Sequence, residues 1–247
     1  MVKRSLPKKI VNIRNDDKVW HEQPDINDLA NIPHPARIIL CAPPNSGKSL
    51  CVKNLLIHAN PPFEKIIIYH NDPSTNEYND IDATHIENDA IPTLEEFDEL
   101  VNEKDSEEES EEESEEEGTK RKVKKVCFIL EDISLCNLPR NQKKLIDRYF
   151  GCWSTHHSIT IIATFQDMFQ CPANLRRMCS MVVLWKTHDL NSLMLIAKRL
   201  GLRVEDLKYI FENICNNKYD SLTIDTHRVG EARLRKNLFQ TIQLPKI

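Results

Sequence analysis

The chain has 247 residues and a mass of 28.7 kDa, enough for one substantial core. Its hydrophobic fraction of 40% suits a folded protein, and no apolar run approaches the roughly 20 residues that span a bilayer, so a membrane partner is not expected. The formal net charge of -5 is uneven: the run EKDSEEESEEESEEEG (103–118) holds 11 of the 38 acidic residues against one lysine and leaves a mildly basic remainder, compatible with an anionic partner.

The opening MVKRSLPKKIVNIR is basic but has no following apolar core or cleavage site, which argues against a secretory signal and for an intracellular protein. The cysteines at 41, 51, 127, 136, 152, 171, 179 and 215 form no CxxC pair, and several lie in apolar runs. They read as reduced, buried small hydrophobes, with neither a disulfide framework nor a zinc site.

Residues 1–35 lack periodicity and read as an N-terminal arm before a single folded domain, 36–247. The apolar run ARIILCA (36–42) predicts a buried strand, and KSLCVKNLLIHA (48–59) a helix with Leu50, Val52, Leu55 and Leu56 on one face. EKIIIYHND (64–72) predicts a second strand, and PTLEEFDELVNE (92–103) a helix with Leu94, Phe97, Leu100 and Val101 as its apolar stripe. The self-repelling acidic segment 103–120 is expected to be a disordered insertion. KKVCFILEDIS (124–134) predicts a third strand, and NQKKLIDRYFGCWSTHH (141–157) a helix turning Leu145, Ile146, Tyr149 and Phe150 inward. SITIIATFQD (158–167) and CSMVVLWK (179–186) predict two more strands, 190–201 and 203–215 two amphipathic helices, and DSLTIDT (220–226) a last strand. Apolar strands alternating with helices imply an α/β fold with a mostly parallel sheet flanked by helices.

Three stretches carry chemistry. Ala42-Pro43-Pro44-Asn45-Ser46-Gly47-Lys48-Ser49 matches GxxxxGK[ST] at every fixed position except the first. In such a loop, backbone N–H groups from Ser46 to Ser49 and the helix N-terminus surround a β-phosphate. Gly47 allows close approach, Lys48 reaches the β- and γ-phosphates, and the Ser49 hydroxyl ligates magnesium. The first position mainly closes the turn, so Ala42 can serve if its backbone dihedral is ordinary. Glu131-Asp132 end a buried strand as a metal-holding and water-polarising pair would. By position Glu131 serves the metal and Asp132 the water, but the usual order of identities is reversed and the split of roles stays open; a solvated strand end is the bland alternative. Gln166, at the tip of SITIIATFQ, is placed to sense a γ-phosphate and hold the attacking water, or else faces solvent in a turn. His156, His157 and His188 have no metal-ligand spacing and take no catalytic role.

Taken in order, APPNSGKS, CFILEDIS, HHSITIIATFQDMFQCPANLRRMCSMVVLWK and YDSLTID make the chain resemble the genome-packaging ATPases of the FtsK/HerA superfamily, as found in poxviruses and other large DNA viruses, virophages and Polinton-type transposons. The resemblance implies a P-loop NTPase of the RecA, additional-strand type, using ATP and magnesium. It implies a translocase that pumps double-stranded DNA, without reading its sequence, into a preformed capsid, working as a hexameric or pentameric ring against capsid vertex proteins. The place would be the host cytoplasm, a viral factory or the virion vertex. It also makes Gln166 the sensor and Arg176 the arginine after the sensor strand, with Arg148, Arg176 and Arg177 the choices for an arginine reaching a neighbour's γ-phosphate. Two other readings compete: a superfamily 3 replicative helicase, whose loop GPPNTGKS is close to APPNSGKS, and a nucleotide-binding adaptor that does not turn over.

Overall fold

Every second side chain of RIILC turns to the same side of the sheet, and both sides are apolar, so the run forms a strand buried on two faces, β1 (Arg37–Cys41). The computed structural model describes residues 32, 34–59, 62–70, 77–86, 90–102, 124–132, 138–187, 189–226 and 233–244. The expected acidic insertion, 103–120, lies outside them. After β1 come α1 (Lys48–Ile57), β2 (Lys65–His70), β3 (Thr84–Ile86), α2 (Leu94–Asn102) and β4 (Val126–Glu131). Then α3 (Arg140–Arg148) runs through a π-helical turn, Tyr149–Trp153, into α4 (Ser154–His156). There follow β5 (Ile159–Phe165), α5 (Ala173–Met178), β6 (Met181–Trp185) and α6 (Leu190–Leu200). A final group comprises α7 (Val204–Tyr209), continued by a second π-turn, Ile210–Ile214, then β7 (Ser221–Asp225), β8 (Leu234–Lys236) and β9 (Gln240–Thr241).

The strands form one sheet in the order β3-β2-β4-β5-β1-β6-β7-β8-β9. From β3 to β6 all neighbours are parallel, and β7, β8 and β9 extend that sheet antiparallel. The expected mostly parallel α/β sheet is therefore present. Its decisive detail is β5, which lies between the strand that feeds the phosphate loop and the strand that carries the acids. This is the additional-strand arrangement.

Two apolar layers hold the sheet. On one face α1 packs Val52 and Leu55 against Ile38, Leu40 and Ile129. On the other, α2, α3 and the π-turns bring Phe97, Tyr149 and Phe150 onto Phe128, with ring centroids 5.0 Å apart for Phe97–Phe128 and 4.9 Å for Phe128–Tyr149. Six cysteines, 41, 51, 127, 171, 179 and 215, are buried as the sequence suggests, while Cys152 is exposed.

Several expectations need correction. Leu50 does not join the buried face of α1; it is 65% exposed, and Cys51 points inward instead. Within the expected arm, Ile32 packs in the core, and His34 is buried with its imidazole 2.8 Å from Thr160 Oγ1 and 3.0 Å from Ser158 Oγ. The helix expected over 141–157 is interrupted by its π-turn, and a short helix not expected, α5, follows Pro172. Strands β3, β8 and β9 were not expected.

Candidate functional site

The turn after β1 is shaped by two residues with positive φ, Asn45 at 58° and Gly47 at 90°. Asn tolerates the left-handed region, and at Gly47 any side chain would be strained. Ala42 has no such φ; its N–H donates to the Phe165 carbonyl at 3.1 Å, so the residue that departs from the motif occupies an ordinary strand-end position. Ser46 is buried and its hydroxyl donates to the Pro43 carbonyl at 2.6 Å, drawing the loop closed. Around the loop lies a cavity of about 390 Å³ whose walls include Pro44, Asn45, Lys48, Ser49, Glu77 and Asp132.

Lys48 is buried and its ammonium is ion-paired with the Asp132 carboxylate. Asp132 has a φ of 44°, a conformation that side chains rarely adopt, and its N–H donates to Thr164 Oγ1 at 2.8 Å. A hydroxyl on β5 thus fixes the acid that ends β4 and aims it into the cavity. Glu131 points elsewhere. It is 6% exposed and accepts a hydrogen bond of 2.7 Å from the fully buried Tyr78 hydroxyl. Burial pushes its carboxyl up to about 7, against the pull of the Tyr78 hydrogen bond and Lys48 and with the push of Asp132 and Glu77.

Glu77 and Tyr78 have no motif to announce them. They lie in NEYND, a polar stretch without periodicity, and reach the site only because the chain folds back after β2. Ser49 Oγ donates to the Glu77 carboxylate, and the Tyr78 hydroxyl also interacts with Ser49. Lys53 on α1 pairs with Asp80 at 2.5 Å and lies 6.0 Å from the Tyr78 ring centre, pinning the same turn.

Gln166 is exposed at the end of β5 and lines a smaller cavity of about 110 Å³ that meets the phosphate loop at Pro43. Arg176 does not line either space. Its guanidinium donates to the carbonyls of Met168, at 2.8 Å, and Cys171, bracing the loop after β5, and its Nε is buried without a partner. Arg148 and Arg177 are exposed, Arg148 lying 5.8 Å over the Trp153 ring. So Lys48, Ser49 and Asp132 line the phosphate cavity with the loop, Glu131 stands behind them against Tyr78, Gln166 sits beside them, and none of the three arginines lines that cavity.

The donor set fits the groups that the motif implies. A buried ammonium beside a loop with a left-handed glycine suits polyphosphate. Ser49, Glu77 and Glu131 offer hard oxygens of the kind magnesium takes alongside phosphate and water. Among the described residues no cluster of three or more His, Cys, Asp or Glu side chains is arranged to hold a metal.

No protein-family model matches the chain, and no curated protein sequence does. Solved structures do. The DNA-packaging ATPase B204 from Sulfolobus turreted icosahedral virus is 14% identical, aligned over 82% of this chain and 96% of its own, with a TM-score of 0.55. The chain therefore shares the fold of that ATPase. The genome-packaging NTPase B204 of Sulfolobus turreted icosahedral virus 2, solved with ATP-gammaS, gives 14% identity, 82% and 96% coverage and a TM-score of 0.54. The pCW3 conjugation coupling protein TcpA, with ATPγS, gives 11% identity over 83% of this chain and 60% of TcpA, with a TM-score of 0.54. At such identities the likeness is one of fold. Among the described residues no helix of this P-loop protein is long and apolar enough to cross a membrane.

Proposed function

We propose that the chain is a magnesium-dependent ATPase that drives double-stranded DNA into a preformed viral capsid, as part of a homo-oligomeric ring. The observation that supports this most is β5. It stands between β1 and β4, so that Lys48, Ser49 and Asp132 line one cavity at the end of the sheet, with Glu131 buried behind them and Gln166 just past its own tip. The same fold spans almost the whole of B204, described as a DNA-packaging ATPase.

In this reading the loop 42–49 and Lys48 hold the phosphates. Magnesium, when bound with ATP, supplies charge neutralisation at the transferred phosphoryl group, and Ser49 and Glu131 are the residues that would hold it, with Glu77 at hand. A γ-phosphate competes with Asp132 for the Lys48 ammonium. Once released, the Asp132 carboxylate is free to orient a water and accept its proton, with Gln166 positioned to hold that water in line. Charge developing on the phosphoryl oxygens calls for a further cation, which an arginine of an adjacent subunit would supply across the ring. Basic surfaces facing the ring's channel would grip DNA phosphates, not base edges, giving strongly salt-dependent and sequence-independent binding. Capsid vertex proteins would be the docking partners.

Phosphate release by the full chain with and without duplex DNA tests this. Duplex DNA is expected to stimulate the wild type, and Lys48→Ala to lower the rate by about 100-fold or more, the scale of losing a preorganised charge in phosphoryl transfer. A wild type that releases no phosphate under either condition would leave a nucleotide-binding adaptor. Stimulation by single strands with unwinding of duplex would favour a helicase.

A further inference from the structure

Beside the phosphate cavity, and sharing Gly47 and Leu50 with it, lies a second cleft of about 210 Å³. Together the two reach the size of ligand sites, about 300–1,000 Å³. The second is chemically different. Its walls include Trp185 from the end of β6, Tyr219 from the turn before β7, and Asn237 and Phe239 from the turn between β8 and β9. Large apolar side chains crowd its mouth in the open: Leu50 is 65% exposed, Tyr219 65% and Phe239 39%. Tyr219 lies against the loop itself, its ring edge 3.7 Å from where a Cβ on Gly47 would stand. Trp185, which stands between this cleft and the small cavity beside Gln166, is 4% exposed and its buried indole N–H has no hydrogen-bond partner. Such a donor is costly to leave unmet.

We infer that this cleft is the base subsite of the nucleotide, taking a purine ring stacked on Tyr219 with the Trp185 Nε1–H as its buried donor. The inference rests on the nucleotide reading of the phosphate cavity. An aromatic face pays no attention to the pattern of a base edge, since every base has a π-face. The amide able to read an edge is already engaged: Asn237 Oδ1 accepts from the Ser221 N–H at 2.8 Å, and its Nδ2 donates to Asp220 Oδ1 at 3.3 Å. Adenine and guanine both present ring nitrogens that accept from an indole N–H. The subsite therefore selects a flat purine by stacking and does not separate the two purines. It also gives a role to the antiparallel extension, whose turns bring Tyr219, Asn237 and Phe239 to the phosphate loop.

Calorimetric titration of the full chain with ATP, GTP and base-free tripolyphosphate, each with magnesium, tests it. ATP and GTP should bind within about threefold of each other and each at least about tenfold more tightly than tripolyphosphate, the range of one stacked base. Tyr219→Ala, at an exposed position, should weaken ATP about tenfold and leave tripolyphosphate unchanged, and Tyr219→Phe should keep the wild-type affinity. Unchanged ATP binding in Tyr219→Ala and Trp185→Phe, with Lys48→Ala abolishing it, would overturn the base subsite while the nucleotide reading stands. ATP preferred over GTP by about 100-fold or more would overturn it too, because edge reading would then be needed. A wild type that binds neither ATP nor tripolyphosphate overturns both readings.

Discussion

Two carboxylates adjacent in sequence have been given different surroundings. Asp132 is half-exposed in the cavity against Lys48, whereas Glu131 is buried against the Tyr78 phenol, which donates to it at 2.7 Å. That hydrogen bond favours the charged carboxylate, so Tyr78→Phe should raise an already elevated pKa of about 7 further. The acid limb of the kcat profile should move to higher pH, and kcat at neutral pH should fall by about tenfold, the scale of one hydrogen bond to a charged group. A pH profile unchanged from wild type would remove Tyr78 from the machinery. Residues whose work is local were legible beforehand: Gly47, Lys48 and Ser49 act within one loop, and their spacing is their geometry. Glu77 and Tyr78 were not, because nothing in NEYND marks them until the turn after β2 lays them over α1. Arg176 shows the converse, since its position in PANLR implied a catalytic cation but not that its guanidinium braces the Met168 and Cys171 carbonyls.

Helix α6 carries a full set of end signals. Asp189 accepts from the N–H groups of Asn191 at 3.1 Å and Ser192 at 2.9 Å, and Gly201 closes the other end with a φ of 63°. Asp189→Ala should lower stability by about 1 kcal/mol, read as a shift in the urea midpoint without a change in slope. In the antiparallel extension, Arg235 and Asp225 pair at 3.3 Å, each almost fully buried. Arg235→Ala strands a buried charge and should cost about 3–5 kcal/mol, whereas the exposed Arg203–Asp206 pair at 2.6 Å should matter little. Long apolar runs such as CFIL and ITIIA were readable as strands because burial on both faces demands unbroken hydrophobicity. THI, LRK and QT are too short to show a period, and they become strands only because a neighbouring edge offers hydrogen bonds. The π-turns were hidden for a similar reason, as one extra residue in a helical turn leaves the 3.6-residue pattern nearly intact.

At the scale of the molecule, His34 ties the entry of the chain to β5 through Thr160 and Ser158. Burial, reinforced by nearby Lys125, holds its pKa at about 4 instead of 6.5. The unfolded chain therefore binds the proton first as pH falls. The neutral imidazole's stability is complete above pH 6.5 and is lost between pH 6.5 and 4, by on the order of 3 kcal/mol. Denaturant midpoints across that window should fall for the wild type and flatten for His34→Gln. The alternation of strands and helices foretold the parallel sheet, and the family resemblance implied an additional strand; the antiparallel wing has no comparable signature, since its pairing is decided by whichever edge is free. The placement of β5 has one more consequence. The N–H of Ala42 hangs on the Phe165 carbonyl and that of Asp132 on the Thr164 hydroxyl, which are consecutive residues of one strand. The gap between the start of the phosphate loop and Asp132 is thus gauged by about 3.8 Å of backbone, a built-in ruler with Gln166 as its next graduation. Sliding that strand by a single residue would misalign the loop, Asp132 and Gln166 together, so this short stretch tolerates substitution of its side chains far better than any insertion or deletion.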